Sequence, residues 1–341
     1  MRYVYLIIIL IFSNNLYAKD YTKNIKTKFF IKDMVDKYNF SKDELNILFS
    51  NVIVQKQALA RYVRKPRPKI THTKKKPINK IKRVGSWDRY EAWILKRGRI
   101  NRGAKYMKKY KIPLEKAYNK FGLPPEYITA IIGIESYYGK NTGKFPVLDT
   151  LTTLAFESNR KNNFFKHQLK SFLLMTKKEK VNPKVIKGSI AGAIGLCQFM
   201  PSNYEKLAID FNGDGRKQMN NHIDAIGSIA HYFKQNHWKK GEEVAVRVKY
   251  KGNRFKKLKT GYKYKYHRSY LKGISPITPF NYHGKVSLIK LKRTKYDELW
   301  YGAKNFFVIT RYNHSNYYAM AVYQLAKKIK EEYKRRYLNP I

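Results

Sequence analysis

Apolar residues fall at helical spacing over most of the chain and at strand-like spacing in one region. From Asn24 to Arg64 the positions Phe30, Ile31, Met34 and Val35, then Leu45, Ile47, Leu48 and Val52, predict helix. Ser41 with Glu44 three residues on fits a capping box inside that stretch. Trp87 to Lys240 also reads mostly helical. Val244 to Leu291 changes character, with short alternations of valine, tyrosine and lysine punctuated by Gly252, Gly261 and Gly273. That pattern predicts a small strand-rich insertion. Helical spacing returns at Tyr317 to Tyr337, where Ala319, Met320, Val322, Tyr323 and Leu325 supply the apolar positions. The expected fold class is α+β, mainly helical. No internal repeat is evident.

One predicted helix carries an unusual carboxylate. Leu123 to Glu135 opens with Pro124 and Pro125, and proline suits a first helical turn because it has no N–H to leave unpaired. Ile128, Ile131, Ile132 and Ile134 follow, and Gly139 is placed to cap the end. A carboxyl on such a helix is partly desolvated, which raises its pKa and keeps it protonated near neutral pH. A general acid for glycosidic-bond cleavage needs that property. A glutamate ending an amphipathic helix also serves as a cap or ion-pair partner, so spacing alone leaves both roles open for Glu135.

Composition changes the picture in two ways. The chain has 341 residues, enough for two or three lobes, and carries 72 basic against 23 acidic residues, a formal net charge of +49. Such a chain concentrates on polyanions, which makes an anionic wall or membrane surface a candidate partner, although compositional drift gives the same count. Val4 to Phe12 is an apolar run behind Arg2 and ahead of Ala18, which reads as a signal peptide with cleavage after Ala18. Export to the periplasm is the expectation. Cys197 is the only cysteine, so no internal disulfide and no lipoprotein cysteine are expected.

Three further segments carry chemistry. Gly188 to Ser202 is dense in small residues that let backbone approach a neighbour or a sugar closely, and Gln198 offers both a donor and an acceptor to an acetamido or hydroxyl group. Tight helix packing accounts for the same small residues. Asp210, Asn212 and Asp214 stand at positions one, three and five of a loop with Gly215 at six, the opening of an EF-hand. Asn221 occupies the twelfth position in place of the closing glutamate, and Asp224 is the nearest acid. Thr310 to Tyr318 interleaves aromatics and amides, as a sugar cleft does, and Ser315 is placed to N-cap the helix that follows.

Taken together, the segments IIGIESYYGK, KGSIAGAIGLCQFMPSNY, DFNGDGRKQMNNHIDAIGSIAHYF and ITRYNHSNYYAMAVYQL resemble the membrane-bound lytic transglycosylase B (MltB) family of bacterial cell-wall enzymes. The resemblance runs from about Phe30 to Ala326 and is loosest in the insertion. It implies a lysozyme-like catalytic domain, with Glu135 as the single catalytic acid. It implies that Ser189, Gln198 and Asn313 line the cleft, with Tyr90, Tyr232, Tyr312 and Tyr318 as aromatic lining. It also implies a long calcium loop held by Asp210, Asn212, Asp214, the Arg216 carbonyl and Asp224. Calcium is the expected structural metal, no organic cofactor is implied, and the state expected is a monomer. The departures are Cys197, where the family often has glycine, the missing lipid-attachment cysteine and a long basic linker.

The resulting organisation is a signal peptide at 1–18, an N-terminal helical lobe at 19–64 and a basic linker at 65–83. A catalytic core with the loop at 84–240, the insertion at 241–300 and a helical return at 301–341 complete it. The implied reaction is cleavage of peptidoglycan glycan strands by intramolecular attack, leaving 1,6-anhydromuramoyl ends. No second acid near Glu135 falls in a recognisable motif; Asp149 and Glu157 are the nearest. The alternatives are a hydrolytic muramidase and a basic module that binds cell wall or another polyanion, with no specific nucleic acid.

Overall fold

The structure is a computed structural model that describes residues 18–63 and 84–339. The apolar run of the expected signal peptide and the linker at 65–83 lie outside the described residues. Strand β1 (Ala18–Lys19) is followed by α1 (Ile25–Tyr38), α2 (Lys42–Phe49), β2 (Val52–Ile53) and α3 (Lys56–Tyr62). Then come α4 (Ser86–Ile94), α5 (Arg97–Lys109), α6 (Lys111–Phe121) and α7 (Pro125–Glu135). Strand β3 (Phe145–Pro146), α8 (Val147–Phe156), α9 (Asn162–Lys178), β4 (Lys187–Gly188), α10 (Pro201–Leu207) and α11 (His222–Gln235) follow. Strands β5 (Ala245–Tyr250), β6 (Ile274–Pro276), β7 (Ser287–Lys292) and β8 (Asp297–Gly302) precede α12 (Lys304–Tyr312) and α13 (Asn316–Tyr337). The mainly helical α+β expectation holds.

These elements form two compact units, each built from two chain segments. The described part of the first comprises 18–63 and 145–192. Its core stacks Tyr21, Phe30, Phe49 and Phe156 in edge and tilted contacts. Glu157 accepts hydrogen bonds from the Tyr21 hydroxyl and the Lys19 ammonium, each at 2.7 Å, so this acid ties the lobe together. Ser41 caps α2 as its spacing predicts, accepting from Glu44 N–H at 3.4 Å. The helix expected across Asn24 to Arg64 is divided, because Val52 and Ile53 pair with β1. Strands β3 and β4 pair antiparallel, with Phe145 opposite Gly188, so the chain enters and leaves the second segment side by side. That pairing separates 145–192 from the stretch read as one core.

The second unit comprises 84–144 and 193–339. At its centre α7 packs against α5, α6, α11 and α13, which is why its sequence is apolar on nearly every side. Gly133 is required here, since a Cβ would lie 2.6 Å from the Tyr138 ring. The insertion forms a four-stranded sheet in the order β6-β5-β8-β7, antiparallel throughout and extending to Gly302. One face buries Val246, Val248, Leu288, Leu299 and Tyr301. Arg293, in the β7–β8 turn, pairs with Asp88, Glu91 and Glu298, which fastens α4 to the sheet. Segment 188–202 is not a packed helix: residues 194–199 form a tight hairpin, closed by two hydrogen bonds between Ile194 and Phe199.

Candidate active site

Glu135 is the final residue of α7, and its environment follows from that position. The chain turns away through Tyr137 (φ 51°) and Tyr138 (φ 61°), both in the left-handed region, before the expected cap Gly139 (φ 87°). Tertiary contacts hold these tyrosines there, for the Tyr138 hydroxyl donates to the Arg99 carbonyl at 2.9 Å. The Glu135 side chain stays partly exposed, with protein packed closely around it. Burial pushes its pKa up to about 7, against the opposing pull of a hydrogen bond from Tyr318. That bond is short: the Tyr318 hydroxyl donates to Glu135 Oε1 at 2.6 Å. The C-terminal end of a helix dipole further disfavours a negative charge at this position.

A shell of tyrosines supports the pair. Tyr318 is 3% exposed and stacks on Tyr312 with ring centroids 6.3 Å apart and planes 8° from parallel. The Tyr312 hydroxyl donates to the Cys197 carbonyl at 2.6 Å, and Tyr232 donates to the Arg311 carbonyl at the same distance. Tyr232 also packs against Tyr312 at 4.8 Å. The hydroxyls of all three are therefore held by protein acceptors. Tyr90 is half-buried beside Trp87 and Tyr317, and its pKa is raised by burial and then by the charge of Glu135, so the two lie within electrostatic reach.

Gln198 is fixed by the hairpin before α10. Its φ of 49° is left-handed, and its Nε2 donates to the Thr142 and Gly195 carbonyls at 3.0 and 2.8 Å. Two carbonyl neighbours determine which end of the amide faces them, which leaves Oε1 as the atom available to a ligand. Gly195 permits the close fold, since a Cβ there would lie 2.5 Å from the Met219 carbonyl oxygen. Cys197 is buried, its Sγ 3.5 Å from the Ala225 carbonyl. Burial raises its thiol pKa, and the charges of Glu135 and Asp224 add to the shift. Asn313 is exposed at the end of α12. Ser189 belongs to the first unit, where its Oγ accepts from Ala191 N–H at 3.2 Å. Asp149 and Glu157 belong to that unit too; burial lifts Asp149 to about 6, while Lys19 and Tyr21 hold Glu157 below the usual range despite its burial.

The 210–224 loop gathers a second set of carboxylates. Oxygens of Asp210, Asp214 and Asp224 lie within 4.8 Å of one another. Asp210 accepts from the N–H groups of Gly213 and Gly215 at 2.7 and 2.8 Å, and Asp214 accepts from Arg216 N–H at 2.9 Å. Asn212 donates its amide to Asp214 Oδ2 at 2.8 Å. Asp224 is fully buried and accepts from Phe211 and Gln218 N–H, both at 2.8 Å. Three carboxylates and an amide oxygen make a donor set of hard oxygens, which fits calcium and offers nothing to a soft metal. Gln218, not singled out in the sequence, reaches Asp214 Oδ2 with its side chain at 3.4 Å. It stands ninth from Asp210, and counting EF-hand positions to nine would have found it.

Residues 23–327 match the family profile described as the transglycosylase SLT domain. The chain is 38% identical over 312 residues to membrane-bound lytic murein transglycosylase B of Escherichia coli (strain K12), a match spanning 91% of this chain and 84% of that protein. An Escherichia coli lytic transglycosylase solved in complex with calcium is similar at a TM-score of 0.83 and 36% identity, over 93% of this chain and 96% of that one. The lytic transglycosylase SltB1 of Pseudomonas aeruginosa gives a TM-score of 0.82 at 34% identity, over 92% and 100%.

Proposed function

Because this chain belongs to the transglycosylase SLT domain family, we propose that Glu135 is the sole acid and base of its reaction. The protein is a lytic murein transglycosylase. It cleaves the β-1,4 bond between N-acetylmuramic acid and N-acetylglucosamine in peptidoglycan and leaves 1,6-anhydromuramoyl ends. The observation that carries the assignment of Glu135 is its place at the closely packed end of α7, where burial raises its pKa to about 7 against the opposing pull of one hydrogen bond, from Tyr318. A glycosidase that delivers water uses a second carboxylate as base or nucleophile.

The steps balance without water. Protonated Glu135 gives its proton to the bridging oxygen as the bond from muramoyl C1 breaks. The substrate's 2-acetamido group steadies the positive charge at C1. The Glu135 carboxylate then takes the proton of the muramoyl 6-hydroxyl, whose oxygen closes on C1, and the acid is restored. The tethered hydroxyl gains the high effective molarity of an intramolecular nucleophile. In this reading Gln198 and Asn313 bind sugar hydroxyls and acetamido groups, and Tyr90, Tyr232, Tyr312 and Tyr318 shape the wall that orients Glu135. Asp210, Asn212, Asp214, the Arg216 carbonyl and Asp224 hold calcium, which neutralises the clustered charge of an EF-hand-like loop and stiffens it. The enzyme acts as an exported monomer on periplasmic glycan strands.

Mass spectrometry of purified peptidoglycan after digestion tests the reaction. Muropeptides lighter by one water than reducing ones are expected; reducing ends would make water the nucleophile. The pH profile tests the acid. A group that works protonated loses kcat/KM as pH rises through its pKa, here about 7. Tyr318→Phe removes a donor that favours the ionised form, so the alkaline limb should move to higher pH. An unmoved limb would mean that this hydroxyl does not tune Glu135.

A further inference from the structure

Helix α1 presents a face to solvent that its own unit does not use. Thr27, Phe30, Ile31 and Met34 are buried on one side. On the other, Ile25, Lys28, Phe29 and Lys32 follow the i, i+3, i+4, i+7 spacing of a single stripe. Ile25 is 62% exposed and Phe29 66%, with Lys28 and Lys32 exposed beside them. Next to the stripe, between α1 and α2, lies a groove of about 570 Å³ whose walls carry Lys28, Lys32 and Lys42. Asp36, also on its wall, engages Lys32 at 2.7 Å, and on the flank Asp33 engages Lys37 at 2.6 Å.

We propose that this face of the N-terminal lobe docks on an anionic phospholipid bilayer. Two exposed apolar side chains one turn apart, with Lys28 and Lys32 beside them and with Asp33 and Asp36 each engaged by a lysine, fit a partner that is negative at its surface and apolar just beneath. A glycan strand offers no apolar interior, so it matches the lysines and leaves Ile25 and Phe29 without a role. In a bilayer, lipid phosphates meet the ammonium groups of the stripe and groove, while Ile25 and Phe29 enter the boundary between head groups and chains. The +49 charge brings the protein to any anionic surface, and the stripe decides which face touches it.

Cys197 is buried, so a cysteine placed at an exposed position takes a thiol-reactive dye selectively. Phe29→Cys and, as reference, Ile112→Cys (native residue 80% exposed, in the second unit) would carry an environment-sensitive fluorophore. With phosphatidylglycerol vesicles a blue shift is expected at position 29 only, and with phosphatidylcholine vesicles at neither. No shift at 29, or equal shifts at both positions, would overturn the proposal, the second by assigning the contact to overall charge. Unlabelled protein with Ile25→Asp and Phe29→Asp should lose about tenfold in partitioning to phosphatidylglycerol vesicles at salt high enough to screen the general attraction. Partitioning equal to wild type would also overturn it.

Discussion

Glu135→Gln is expected to lower kcat/KM on peptidoglycan by at least about 10⁴-fold, because one group serves as acid in the first half of the reaction and base in the second. Glutamine keeps the volume and accepts the Tyr318 hydrogen bond, so the fold remains. It should also be the more stable protein above neutral pH. The carboxyl titrates near 4.5 in an unfolded chain and about 7 in the folded one. Between those values the unfolded state releases its proton while the folded state keeps it, so this group costs stability as pH rises and the cost levels off above 7. The limit is about 3 kcal/mol for a shift of this size. Thermal unfolding at pH 5 and pH 8 reads the effect: the variant should gain on wild type at pH 8 and match it more nearly at pH 5. An inactive variant with no such gain would place Glu135 in a solvated site and remove the basis for its acidity. Near-wild-type turnover would overturn the assignment outright.

The second large effect concerns the 210–224 loop. Calcium should raise the unfolding temperature by several degrees, since a ligand at a hundred times its Kd stabilises by about 2.7 kcal/mol. Asp214→Asn, at an exposed carboxylate, should leave stability in chelator nearly unchanged and remove most of the calcium response. Asp224→Ala should do more, because the fully buried carboxylate accepts from Phe211, Asn212 and Gln218. Stranding those donors costs about 3 kcal/mol or more, in calcium and chelator alike. An undiminished calcium response in Asp214→Asn would place the ion elsewhere.

Features encoded by neighbouring residues were legible in the sequence. Pro125 opens α7, and Ser41 and Ser315 cap their helices. The strand-rich region was readable because alternation is also local. Contacts between distant segments were not. Tyr318 meets Glu135 across 183 residues, and Tyr312 meets the Cys197 carbonyl across 115. Resemblance to a family marked these tyrosines as cleft lining, whereas geometry makes one a donor to the acid and two more its support. The division of the helical stretch between two units rests on β3 pairing with β4, two residues on each side, too short a signal for periodicity to register.

The distance along the chain between the acid and its tyrosine sets an order of events during synthesis. At about 5–20 residues per second, some 10–40 s pass between the emergence of Glu135 and that of Tyr318. Through that interval the nascent chain holds a glutamate with neither its hydrogen-bond donor nor the α13 surface against which α7 packs. A polypeptide halted anywhere before Tyr318 is therefore an incomplete tool. A chain cut short of α13 lacks both the surface that seats the acid's helix and the hydroxyl that fixes its carboxyl.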